Sequence, residues 1–294
     1  MTDVKNKRLN PLNDYLFKKI FGEIEREENL KYLLNLILGR TGKNEIIEVE
    51  IVESTISGKL HKNKKSILDI RAKTKTEIFN IEVQLQKTAM GDRSIFYSSQ
   101  IMSSSSKSGK DYIEMPKVIM INILGFENKE SQKFIRRYLY LEEDELLIFT
   151  DKLETYEIDM PKFRKLENKD IKNPTHRLLM YLDIETPENI IKELINMDKA
   201  LANAQAIEEH VTQTPEEYRK YQQIEMYKHD QATLKRIAKE EGREEGIKEG
   251  EQIGIEKGRN EEKLTIAINL KKQGLAPENI SKATGISITE IKDL

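Results

Sequence analysis

The stretch SILDIRAKTKTEIFNIEVQLQ, residues 66–86, constrains this chain most. It reads as two β-strands joined by a tight basic turn at residues 73–76. In the first strand Asp69 sits among Ile67, Leu68 and Ile70, where an acid is out of place. In the second, Phe79, Ile81, Val83 and Leu85 alternate with Asn80, Glu82, Gln84 and Gln86. A period of two puts Glu82 and Gln84 on one face and the apolar set on the other. One hairpin thus offers two carboxylates, thirteen positions apart in sequence, to a single metal ion.

Around that hairpin the pattern is α/β. Residues 11–21 (PLNDYLFKKIF) carry Leu12, Leu16 and Ile20 at spacing four, an amphipathic helix started near Asn10-Pro11 or Asn13 and stopped by Gly22. A second helix places Leu30, Leu33, Leu34, Ile37 and Leu38 toward a core and ends at Gly39. Residues 45–53 read as a strand with Ile47, Val49 and Ile51 inward. Residues 92–106 read as a helix with Arg93, Tyr97, Gln100 and Ser104 on one stripe; its serine runs are unusual, since serine is a mediocre helix former, and their small side chains allow close packing against a sheet. Residues 116–124 (PKVIMINIL) are almost continuously apolar and suit a strand buried on both faces. Further strands are expected at 134–141, 146–150 and 153–158. The sheet then occupies about residues 1–160, followed by helices at 161–235.

Residues 239–258 repeat glycine at every fourth position, at Gly242, Gly246, Gly250, Gly254 and Gly258. Each costs about 0.8–1 kcal/mol relative to alanine inside a helix. Residues 236–262 are therefore either a soft charged linker or a helix whose glycine stripe permits close approach and self-association. Eight bases against nine acids over 234–263 argue against a nucleic-acid tail. Residues 263–294 outline short helices with a Gly285 turn and a Ser287/Glu290 capping box. That outline suits a helix-turn-helix, yet the last helix holds one base, Lys292, so a packing or dimer module is an equal reading.

The 294 residues carry a formal charge of −2, so attraction to nucleic acid must be local. Residues 59–75 supply it, with Lys59, Lys62, Lys64, Lys65, Arg71, Lys73 and Lys75 against Asp69 alone. Without cysteine there is no thiolate metal site. The four histidines, at 61, 176, 210 and 229, form no ligand pair. The amino-terminal segment lacks a signal-peptide run, and no stretch has the ~18 apolar residues of a membrane span. A cytoplasmic protein with no membrane partner is expected. Two carboxylates from adjacent strands, with a backbone carbonyl near Val83, suit Mg²⁺, which takes oxygen ligands and keeps several waters. The blander readings are an Asp69–Arg71 ion pair and a wet strand face at Glu82 and Gln84.

The segments LNDYLFKKIFG (12–22), ILDIRAKT (67–74), FNIEVQLQ (79–86), DRSIFYSSQI (92–101) and PKVIMINIL (116–124) resemble the Rpn family of recombination-promoting nucleases and transposase-like proteins, within the PD-(D/E)XK superfamily. The resemblance implies a restriction-endonuclease-like mixed sheet core flanked by helices, ahead of an all-helical C-terminal region. It implies a Mg²⁺-dependent DNA endonuclease, with Mn²⁺ as a substitute, acting in recombination or transposition. Asp69 and Glu82 match the motif's two acids, and Gln84 stands where the superfamily has lysine. Residue 68 is leucine where the motif has proline. Glutamine neither accepts a proton nor brings positive charge, so it orients water or phosphate. Arg93 is then the substitute cation, with Tyr97 and Gln100 further along its face and Asp14 as an additional metal-shell acid. Two other classes stand beside the enzyme: a DNA-binding protein on a nuclease fold that no longer cuts, and a homo-oligomeric module assembled through the glycine repeat and helical end.

Overall fold

A computed structural model describes residues 8–52, 70–105 and 111–294. They divide into two compact units, one ending at Glu225 and one spanning Met226–Leu294.

The first unit opens with α1 (Asp14–Phe21). Asn13 caps it, its side chain accepting from the Tyr15 and Leu16 amides, an arrangement worth about 1 kcal/mol. Helix α2 (Glu27–Leu38) ends at Gly39, whose φ of 63° is the left-handed geometry that glycine takes without strain. Six strands form one sheet: β1 (Glu50–Val52), β2 (Ile70–Lys73), β3 (Glu77–Gln84), β4 (Lys117–Leu124), β5 (Ile135–Leu141) and β6 (Ile148–Asp159). Their order is β1-β2-β3-β4-β6-β5. The central seams β3/β4 and β4/β6 are parallel, and the outer pairs are antiparallel.

Strand β4 is buried from Val118 to Leu124, as a strand covered on both faces must be. One face packs Phe79, Ile81, Ile119, Ile121 and Ile158 against Leu16, Phe17, Leu33 and Leu34 in the main core. The other packs Ile78, Val118 and Met120 against Tyr97 and Ile101 of α3 (Met90–Ser105). Buried serines let α3 settle close: the Asn122 amide donates to Ser94 Oγ over 2.9 Å, and Ser98 is 1% exposed. Beside the main core lies the carboxylate of Glu154, which accepts from Lys117 at 2.5 Å and from Arg137 at 2.6 Å.

Two expectations change in detail. In place of a strand over 45–53, a 3₁₀ turn (Gly42–Asn44) leads into β1, which begins only at Glu50. The Asn35 side chain binds both the amide and the carbonyl of Ile46 and so takes that residue out of strand pairing. Ile46 is buried and Ile47 is 76% exposed, the reverse of the expected alternation. The two strands expected at 146–150 and 153–158 are one, β6, whose register against β5 shifts at Tyr140 and thereby absorbs the irregular spacing.

Helices α4 (Met160–Arg164), α5 (Pro174–Leu182), α6 (Glu188–Met197) and α7 (Lys199–Gln213) complete the first core. Helix α8 (Pro215–Lys272) begins in this unit, where Tyr221 accepts from the Asn10 amide over 2.9 Å. It continues without interruption through all five repeat glycines, so residues 236–262 are helical. In the second unit the end of α8 packs with α9 (Pro277–Thr284) and α10 (Ile288–Asp293) around Ala267, Ile280 and Ile291. The Ser287/Glu290 capping box starts α10. Among the described residues no helix is long and apolar enough to cross a membrane.

Candidate nuclease centre

Strand β3 turns Ile78, Asn80, Glu82 and Gln84 toward α3, by strict alternation from the apolar positions that enter the main core. Glu82 pairs in register with Asn122 of β4, and Asn80 with Arg71 of β2 and Met120 of β4. The Glu82 side chain is 6% exposed. Arg93, near the start of α3, donates from Nη2 to Glu82 Oε2 over 3.0 Å. Its guanidinium carbon lies 5.3 Å from the Tyr97 ring centroid, so the cation is held between a carboxylate and an aromatic face. The structure therefore brings Glu82, Arg93 and Tyr97 together.

Gln84 behaves differently. Its amide donates to its neighbour Gln86 O over 3.0 Å, and the residue is half-buried. The position that the resemblance aligns with the superfamily's lysine thus carries a neutral side chain tied to its own strand end. Gln100 lies two turns beyond Arg93 on α3, with a buried Oε1 that has no hydrogen-bond partner. Asp14 is in the first turn of α1. The opposite end of that helix abuts β2, where a Cβ on Gly22 would fall 2.7 Å from Ile70 Cγ1. Asp14 is about 12 Å from that contact along the helix axis. Asp69, Lys59, Lys62, Lys64 and Lys65 lie outside the described residues. Arg71 is on β2, and Lys73 pairs with Glu50 at 3.0 Å.

Two polar side chains at this face, Asn80 and Asn122, were not singled out by the sequence pattern. Asn80 is fully buried, and neither atom of its amide has a partner. Asn122 is fully buried, with Oδ1 unpartnered opposite Glu82. Arg71 Nε is buried and likewise unpartnered, and burial lowers the pKa of its guanidinium. The available signal was parity: Asn80 and Asn122 are the polar residues inside the apolar runs of β3 and β4. Leaving polar atoms unsatisfied in a core costs about 1–3 kcal/mol each, so their gathering on one face marks a place built for further ligands.

These donors suit a hard divalent cation. A carboxylate and unpartnered amide oxygens are oxygen ligands, and there is no sulfur in the set. Among the described residues no three acids or histidines are grouped to hold a metal by themselves, and Asp69, the expected partner of Glu82, is not among them.

A mixed sheet with two parallel central seams, an acid on its third strand and a helix laid over that acid define a PD-(D/E)XK-type nuclease fold. The chain belongs to the PD-(D/E)XK nuclease family transposases, whose family model matches residues 11–238. No curated protein and no solved structure gives a significant match. Nucleases of this superfamily generally work with divalent metal ions.

Proposed function

We propose that this nuclease-fold chain is an endonuclease that hydrolyses DNA phosphodiesters with Mg²⁺, in recombination or transposition. The observation that carries the reading is the Glu82–Arg93 pair on a buried polar face of the sheet. Asp69 immediately precedes Ile70, and Ile70 pairs with Ile81, the residue before Glu82. In this reading Asp69, Glu82 and the Val83 carbonyl hold the ion. When bound, the ion lowers the pKa of a coordinated water and neutralises charge on the phosphodiester.

The chain's own residues then have distinct roles. Arg93 supplies the fixed positive charge that lysine gives elsewhere, as a fork able to bridge Glu82 and a phosphate oxygen. Tyr97 offers its ring face to that guanidinium and favours the conformer that meets Glu82. Gln84 orients water or phosphate with its amide. Arg71 and Lys73, together with Lys59, Lys62, Lys64 and Lys65, grip the DNA backbone.

Plasmid nicking with Mg²⁺ by wild type, Asp69→Ala and Glu82→Ala tests the assignment. Loss of cleavage in both variants is expected, and equal cleavage by all three overturns it. One observation favours a second reading, a DNA-binding protein that does not cut. Arg93 occupies an oxygen of Glu82 that a metal would use. Salt-dependent DNA binding with no nicking in Mg²⁺ or Mn²⁺ selects that reading.

A further inference from the structure

Beside the Glu82 face, where the β2–β3 turn meets the end of α3, lies a cavity of about 540 Å³. Arg71, Lys73 and Lys75 line it, with Ser104, Ser105 and a single acid, Glu114. Lys73 is already paired with Glu50, and both are substantially exposed, so that pair is weak. Arg71 is another matter. Its Nε is buried with no hydrogen-bond partner, and no carboxylate among the described residues forms an ion pair with it. A half-buried guanidinium with an unpartnered Nε, in a cavity lined by two lysines and one acid, suits an anionic ligand. Ser104 and Ser105 direct their hydroxyl protons to Ile101 O at 3.0 and 2.6 Å, so hydrogen-bond donation to an anion falls to Arg71 and the lysines.

The position relative to Glu82 follows from the register. Arg71 pairs with Asn80, two residues from Glu82 along β3, and Lys73 pairs with Ile78, four residues away. At about 3.3 Å per residue these offsets are roughly 7 and 13 Å. With 3.4 Å of axis per base pair, that is about two to four base pairs from the carboxylate.

We propose that this cavity is a phosphate subsite for the nucleic-acid backbone, in which Arg71 takes a phosphate about two base pairs to one side of the scissile bond, with Lys73 and Lys75 screening it. The assignment rests on the nuclease reading above. It makes the enzyme asymmetric, with one flank of the cut gripped by a half-buried guanidinium.

The test is the salt dependence of binding of a 20-base-pair duplex in EDTA, by fluorescence anisotropy. The proteins are wild type, Arg71→Gln, Arg71→Lys, Lys75→Gln and, as a control, Lys192→Gln, an exposed lysine of α6 paired with Glu188. Each lost phosphate contact lowers the slope of log K against log salt by about 0.9, or about eightfold in affinity at 0.1 M relative to 1 M. Arg71→Gln is expected to lower the slope by that amount, and Lys75→Gln, which removes a screening charge alone, by less. Arg71→Lys, which keeps the charge, and Lys192→Gln are expected to keep it. Wild-type binding with an unchanged slope in Arg71→Gln overturns the subsite and leaves the nuclease reading intact. Wild type without salt-dependent binding overturns both. Cleavage that survives Glu82→Ala, with the Arg71 slope as expected, overturns the nuclease reading alone.

Discussion

Arg93 donates to Glu82 Oε2 over 3.0 Å from a helix laid across the sheet, while Gln84, two residues along the same strand, turns its amide to Gln86. The positive charge beside the acid thus arrives from α3 instead of from β3. A cation carried on a separate helix can be removed or replaced without altering the strand that carries the acid.

A double-mutant cycle reads that exchange. Arg93→Ala is expected to lower kcat for nicking about 100-fold, the typical effect of deleting one charge-stabilising donor. Restoring lysine through Gln84→Lys places an ammonium on the Glu82 face, so Arg93→Ala should cost much less in that background. Strictly additive effects would show that the two positions do not share a role.

Gly125 follows β4 and donates its amide to Gln84 O over 2.9 Å. A Cβ there would lie 2.8 Å from Leu85 Cα and 3.0 Å from Leu85 O, which are backbone atoms unable to rotate away. Gly125→Ala is expected to lower stability by about 1–3 kcal/mol, measured from the urea midpoint, and to reduce nicking by displacing Gln84. Unchanged stability and activity would mean that the end of β3 yields freely.

Burial pushes the Glu154 carboxyl upward, but hydrogen bonds from Arg137 and Lys117 outweigh it and hold the pKa below the usual glutamate range. A depressed folded-state pKa contributes stability above the unfolded value, near 4.5, that is lost as pH falls through the folded one. Glu154→Gln is therefore expected to cost about 1.5–3 kcal/mol at pH 7 and to flatten the acid limb of the stability curve. Denaturant titrations at pH 7, 5, 4 and 3 check both parts. An acid limb as steep as that of wild type sinks the attribution.

Each of the five repeat glycines is exposed, with nothing within 4 Å of the Cβ it lacks. Replacing any one by alanine is expected to stabilise α8 by about 0.8–1 kcal/mol, seen as a higher midpoint in a far-ultraviolet circular dichroism melt. If a second copy covers the stripe, the added methyl groups lower the mass by light scattering instead.

Local sequence pattern carried over into structure where it met one tertiary need. Leu16 and Ile20 became the buried positions of α1, with Leu12 buried ahead of its Asn13 cap; the Ser287/Glu290 pair became a capping box, and the apolar run of β4 became the doubly covered strand. It failed where side chains override the pattern, as at Ile46, whose backbone is claimed by Asn35. It left the glycine repeat open because propensity disfavours a helix that the fold nevertheless forms. Of the site, parity on β3 put Glu82 and Gln84 on one face, and α3 added Arg93 and Tyr97. The unpartnered amide atoms of Asn80 and Asn122 depend on what α3 covers, which no spacing rule encodes.

Strand β4 has a further consequence during synthesis. Its partners lie far off in the chain: Glu77 with Lys117, forty positions apart, and Val118 with Leu153, thirty-five apart. The strand emerges from the ribosome before β6 does. At about 5–20 residues per second, its apolar flank and one row of unpaired backbone groups stay open for roughly 2–7 s. For that interval the nascent chain carries an aggregation-prone edge, so its yield in a cell should depend on whether a chaperone shields β4 until β6 arrives.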